Sequence, residues 1–178
     1  TQNYKDKINI LISSGDKDLA QLVNKKVVLV NSMDDKILDP KGVSKKFGVL
    51  PEQIFDYLVL IGDKSDNIPG VDKIGPKTAI SLLEKYKNLD SIIDNIDKIK
   101  GKVAENLSKS LETIDIAKKL IKLKSDVDID TNIKTYNILE KDEKSLSNLI
   151  TKYQLKSLAD NFEIKKETKN ISSKKSYN

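Results

Sequence analysis

Gly62-Asp63-Lys64-Ser65-Asp66-Asn67-Ile68-Pro69-Gly70-Val71-Asp72-Lys73-Ile74-Gly75-Pro76-Lys77-Thr78-Ala79 is the stretch on which the reading of this chain turns. It follows an apolar run, Tyr57 to Ile61, and leads into Ala79, Ile80, Leu82, Leu83 and Tyr86 at helical spacing. Two helical segments joined by a turn bounded by Gly and Pro predict a helix-hairpin-helix. Gly70 and Gly75 have no side chain, so the backbone there can come close to a phosphate. The free N–H groups at the start of the 76–86 helix would point at such an anion, with Pro76 suited to the first turn and Lys77 beside it. A hairpin of this kind grips backbone and not base edges, so salt-sensitive binding independent of base sequence is expected. A plain interhelix turn is the other reading of the same residues.

The acids of this stretch have a counterpart upstream. Gly15-Asp16-Lys17-Asp18 follows the apolar run Ile8 to Ile12, as Gly62-Asp63-Lys64-Ser65-Asp66 follows Tyr57 to Ile61. Ile8–Ile12 has the length and composition of a buried parallel strand, and an open α/β sheet places its site beyond the C-terminal ends of its strands. Asp16 and Asp18 fall there, two residues apart. Asp63 and Asp66 are three apart and, if helical, share a face. Each aspartate taken alone reads as a cap or turn residue. The four together read as a site for a hard divalent cation such as Mg²⁺ or Mn²⁺. Two such ions about 4 Å apart can activate water and stabilise the leaving oxygen of a phosphodiester. Lys17 and Lys64 sit inside these motifs, either balancing the carboxylates or reaching the phosphate.

Composition narrows the chemistry. The 178 residues include no His and no Cys, which excludes imidazole bases, thiolate sites and disulfides. No apolar run is long enough to span a bilayer, so no membrane partner is expected and a cytoplasmic location is. The net charge of +5 is unevenly spread: residues 165–178 hold five Lys against one Glu, leaving about +1 for residues 1–164. Lys98 to Lys124 holds eight Lys against three acids, which fits a basic phosphate track beside an acidic pocket, or a solvated helix face.

The pattern along the chain predicts α/β followed by all-α. Val27–Val30 reads as a second strand, with Lys36–Leu38 folding back on it, and Asp39-Pro40 caps a helix that Gly48 ends. From Pro51 the strand signals thin out. Helices are expected with Ile54, Phe55, Leu58, Val59 and Ile61 inward, then over Thr78–Tyr86, Leu89–Ile96, Val103–Leu111, Ile114–Leu123, Leu146–Tyr153 and Leu155–Phe162. Val127–Ile133 reads as extended. Tyr57, Tyr86 and Tyr153 fall on apolar stripes and are assigned to core. The polar tail is expected to lack structure.

Ile12-Ser13-Ser14-Gly15-Asp16-Lys17-Asp18-Leu19-Ala20-Gln21-Leu22-Val23 and Gly62 to Val71 resemble the bacterial 5′–3′ exonuclease family. That family comprises the nuclease domain of DNA polymerase I and its stand-alone relatives, and is related to flap endonucleases. The resemblance runs from about Ile8 to Ile164 and implies a partial PIN-like nuclease core over 1–48. It further implies a helical helix-hairpin-helix subdomain over 49–164, with 165–178 as a disordered basic tail or linker. The implied activity is 5′–3′ exonuclease and 5′-flap endonuclease cleavage of DNA in replication and repair. Asp16, Asp18, Asp63 and Asp66 take the place of catalytic metal ligands, with two divalent ions, Mg²⁺ or Mn²⁺. Gly70, Val71, Ile74, Gly75, Lys77 and Thr78 take the place of the duplex contact, where family members also hold a monovalent cation such as K⁺.

The family's further acids and basic arch residues are expected ahead of Thr1, and a polymerase domain is a candidate C-terminal neighbour. The alternative is a DNA-binding module without catalysis, truncated or completed by another chain. A helix-hairpin-helix glycosylase fits poorly with the paired acidic motifs.

Overall fold

A computed structural model describes residues 8–31 and 36–161, and the basic tail lies outside them. The contacts divide the chain into two units, Thr1–Ile129 and Asp130–Asn178.

In the first unit, β1 (Ile10–Ser13) lies parallel to β2 (Val27–Val30), pairing Ile10 with Val27 and Ser13 with Val30. A short β3 (Ile37–Leu38) returns antiparallel to β2, so the two expected strands and the fold-back are present. The crossover is a 3-10 stretch, Lys17–Leu22, whose Ala20 is fully buried under the sheet. Helix α1 (Pro40–Phe47) starts as the sequence dictates: the Asp39 carboxylate accepts from the Gly42 N–H at 2.6 Å, and Pro40 occupies the first turn. Gly48, at φ 78, ends it in the left-handed conformation.

Helix α2 (Ile54–Ile61), entered through a 3-10 turn at Pro51–Gln53, is the axis of the unit. Ile54, Tyr57, Leu58, Val59 and Leu60 are all buried, while Phe55 and Ile61 are only half-buried. The assignment of Tyr57 to core holds, and the inward stripe read from sequence missed Leu60. Its one-sided period fails because α2 packs against both α3 and α6, and a helix covered on several sides shows no polar face.

After α2 the chain forms a two-stranded hairpin, β4 (Gly62–Asp63) against β5 (Ile68–Pro69), with Asp63 opposite Ile68. Helices α3 (Pro76–Tyr86), α4 (Leu89–Asp94), α5 (Lys102–Lys109) and α6 (Leu111–Ile121) follow. Their apolar faces join one core with α2 and β2, built on Leu29, Leu58, Leu83, Leu89, Ile92, Leu107, Ile114 and Ile121. Gln53 ties the entry of α2 to the end of α3. Its amide donates to the carbonyls of Leu83 and Lys87 at 3.2 and 2.8 Å, closing the last turn of α3.

The second unit holds a 3-10 turn at Ile133–Tyr136, starting at the last residue of the stretch read as extended, then α7 (Glu143–Tyr153) and α8 (Lys156–Asn161). Asp142 caps α7 by accepting from the Ser145 N–H at 2.9 Å. Tyr153 is 59 % exposed, so its assignment to core is corrected: the apolar stripe there marks a helix face that its unit leaves open. No described helix is long and apolar enough to cross a membrane.

Candidate metal centre and hairpin

The two acidic motifs meet. Oxygen atoms of Asp18, Asp63 and Asp66 all lie within 4.8 Å of one another. Asp18 arrives on the 3-10 stretch beyond the C-terminal end of β1, where an open parallel sheet presents its site. Asp63 stands in β4 and Asp66 in the turn that follows. The conditional expectation that Asp63 and Asp66 share a helix face is overturned. Gly62, at φ 73 and ψ 179, stops α2 in a conformation open to glycine alone, and the acids converge across a hairpin turn instead.

Each motif opens with the same local device. Asp16 accepts from the Asp18 N–H at 2.9 Å, and Asp63 accepts from the Ser65 N–H at 2.9 Å, so each aspartate bends the chain two residues on. For Asp16 this is the cap of the 3-10 stretch, and it stands outside the group of three. Its charge is still felt there, as the pKa of Asp18 shows.

Asp63 and Asp18 are held in opposite ways. Asp63 is 4 % exposed, and its Oδ1 receives Lys17 Nζ at 2.6 Å, the Ser65 hydroxyl at 2.5 Å and the Ser65 N–H. The Lys17 bond first, then Ser65, holds its pKa down at about 2. Asp18 is pushed above the usual carboxylate range, by burial first and then by the charges of Asp16, Asp63 and Asp66, with Lys17 opposing. The cluster is thus a site of repulsion that Lys17 relieves only in part. Hard oxygen donors, in a chain without His or Cys, suit a hard divalent cation, so the residues fit the ion that the motifs imply.

The hairpin sits on the same segment. Gly70 is half-buried, and a Cβ there would lie 2.3 Å from the Ile61 carbonyl carbon and 2.6 Å from the Gly62 nitrogen. Its missing side chain is demanded by the protein's own backbone. Gly75 is the reverse: exposed, with nothing within 4 Å of the Cβ it lacks. Val71 and Ile74 are buried, their N–H groups donating to the carbonyls of Leu60 and Val71. Gly75 caps α3 without a side-chain bond, so the first turn of the helix, with Lys77 exposed and Thr78 half-buried, keeps its N-terminal dipole unmasked.

Three partners of these features escaped sequence reasoning. Ser65 was passed over, although a hydroxyl two residues after an Asp is a readable turn signal. Gln53 and the buried Asn106, whose amide donates to the Asp72 carbonyl at 2.8 Å, left no local signal, because both act across distant elements.

Comparison with known proteins supports the same reading. Residues 49–145 match the family model described as 5′-3′ exonuclease, C-terminal SAM fold. The 5′-3′ exonuclease of Aquifex aeolicus is 40 % identical over 149 residues, covering 84 % of this chain and 50 % of the relative. DNA polymerase I of Caldicellulosiruptor bescii is 34 % identical over 157 residues, 85 % of this chain and 18 % of that one. The chain thus spans about half the length of the stand-alone relative. Among solved structures, the bacteriophage T5 flap endonuclease, in a complex with DNA and metal ions, superposes with a TM-score of 0.59. It is 25 % identical, over 64 % of this chain and 42 % of that one.

Proposed function

The chain belongs to the 5′-3′ exonuclease family, and on that premise we propose that it is part of a divalent-metal-dependent nuclease cutting DNA at 5′ ends and flaps. The observation that carries the proposal is the convergence of Asp18, Asp63 and Asp66 from two distant motifs. Asp16 shapes the turn that delivers Asp18 and adds its charge. Residues 1–48 contribute to the nuclease core and 49–164 hold the DNA, a division supported by the family match beginning at residue 49. Residues 165–178 serve as a basic tail or linker, and the whole works on chromosomal DNA in the cytoplasm.

The three carboxylates are the ligand set for Mg²⁺ or Mn²⁺, two ions in the complete site. When bound, they lower the pKa of water and neutralise charge on the phosphodiester. The chain's own residues do the rest. The uncapped start of α3, at Gly75, Lys77 and Thr78, takes a backbone phosphate at some distance from the cut. Gly70, Val71 and Ile74 set the hairpin's shape, and a monovalent ion such as K⁺ would sit against its backbone oxygens. Because these contacts read phosphate and not base edges, the grip is the same on any sequence and weakens with salt.

The test is a 5′-labelled flap duplex incubated with the chain in Mg²⁺ or in EDTA, with binding measured alongside. Cutting is expected only with metal, and Asp63→Asn or Asp66→Asn should lower it more than about a hundredfold while binding persists. Cutting in EDTA, or undiminished by Asp63→Asn, would refute the metal role. Binding without any cutting would confine this chain to holding DNA.

A further inference from the structure

Within the cluster of negative charge sits one positive group. Lys17 lies between Asp16 and Asp18 in sequence, and its Nζ is 2.6 Å from Asp63 Oδ1. Its side chain is 37 % exposed, whereas that of Asp63 is 4 % exposed, so the ammonium reaches inward from the rim of the site. The Lys17 charge also acts on Asp18, against the repulsion of Asp16, Asp63 and Asp66. Among the described residues, it makes the one ion pair to any of the four aspartates.

The three donors to Asp63 are not alike. Both Ser65 bonds come from a neighbour two residues away and carry no charge. They lock the carboxylate's orientation whatever else enters the site. Lys17 brings a full charge on a flexible four-carbon stem. A divalent ion held by Asp18, Asp63 and Asp66 would lie within a few ångströms of that ammonium, where like charges repel strongly in a partly desolvated pocket.

We propose that Lys17 is a placeholder cation, which neutralises Asp63 while the site is empty of metal and is displaced from it when a divalent ion binds. The inference rests on the metal reading above and adds a competitor to it. Lys17 keeps the carboxylates gathered without metal and sets the ion concentration at which the site fills. Its removal therefore tightens metal binding rather than weakening it, the opposite of what a ligand or a mere structural support would do.

Mn²⁺ binding, followed by the electron paramagnetic resonance signal of the free ion, tests this on the wild type, Lys17→Met, Lys17→Arg and Asp63→Asn. Lys17→Met should bind Mn²⁺ about tenfold more tightly. Lys17→Arg keeps the charge and should stay near wild type. Without metal, Lys17→Met should melt below wild type, and Mn²⁺ should close the gap.

Unchanged or weaker binding by Lys17→Met, with Asp63→Asn losing the ion, would overturn the placeholder role and leave the metal site standing. Equal, negligible binding by wild type and Asp63→Asn would overturn both. Should Lys17→Met fail to fold, wild-type protein labelled at the lysine ε-carbons gives the answer. Saturating Mg²⁺ must shift the Lys17 signal, and an unmoved signal would refute displacement.

Discussion

Two regions on one segment, the acidic turn at 63–66 and the hairpin at 70–78, expose polar groups in opposite ways. At the turn, carboxylates are crowded, one of them is buried, and their repulsion is relieved by a single lysine. At the far end of the hairpin nothing is crowded: the first turn of α3 is left uncapped, and Gly75 opens onto empty space. The turn stores unfavourable energy that a cation can discharge. The hairpin instead withholds a side chain so that backbone donors stay available. The difference teaches that a site can be made by excess as well as by omission, and that the two should respond to mutation differently.

The sharpest contrast lies within the hairpin. Gly70→Ala drives a Cβ against the backbone of Ile61 and Gly62, so it should cost about 3 kcal/mol, read as a large fall in the denaturation midpoint. Next in size is Asn106→Ala. It strips the Asp72 carbonyl of its partner and loosens the hairpin's tie to α5, at a cost of about 2 kcal/mol by urea denaturation. Should either change leave stability untouched, the hairpin is not braced as described.

Substitution in the acidic turn should reverse the sign. Asp18 is pushed up in the folded protein, so its ionised form costs stability at neutral pH, and the cost vanishes as pH falls and it protonates. Asp18→Asn should therefore raise the melting temperature of the metal-free protein near pH 7 while weakening metal binding. Asp63 is the counterweight. Its pKa falls from 3.8 to about 2, so its pair with Lys17 and Ser65 contributes fully above about pH 4 and is lost as pH drops toward 2. Asp63→Asn should flatten that acid limb in a melting-temperature series. Smallest is Gly75→Ala, under about 1 kcal/mol, since nothing is near the added methyl. If its fall in DNA affinity is not larger than its fall in stability, the omission has no functional meaning.

Much of this was legible in the sequence, for identifiable reasons. Strands β1 and β2, the Asp39-Pro40 cap and the Gly48 stop are written in local chemistry, and they form as read. The two acidic motifs and the hairpin were legible because each packs its signal into a few consecutive residues. What stayed hidden depends on distance. The helical spacing of Asp63 and Asp66 gave way to a turn because Gly62 and Gly70 must touch, a contact that no period records. The burial of Leu60 follows from α2 being covered by both α3 and α6. Asn106 and Gln53 work through carbonyls many residues away, and an amide alone in sequence says nothing of its partner.

The most direct test of the account is diffraction from crystals soaked in Mn²⁺, with the ion located by its anomalous signal. The account predicts a peak bounded by carboxylate oxygens of Asp18, Asp63 and Asp66. A well-occupied Mn²⁺ elsewhere, with those three carboxylates left without one, would contradict it.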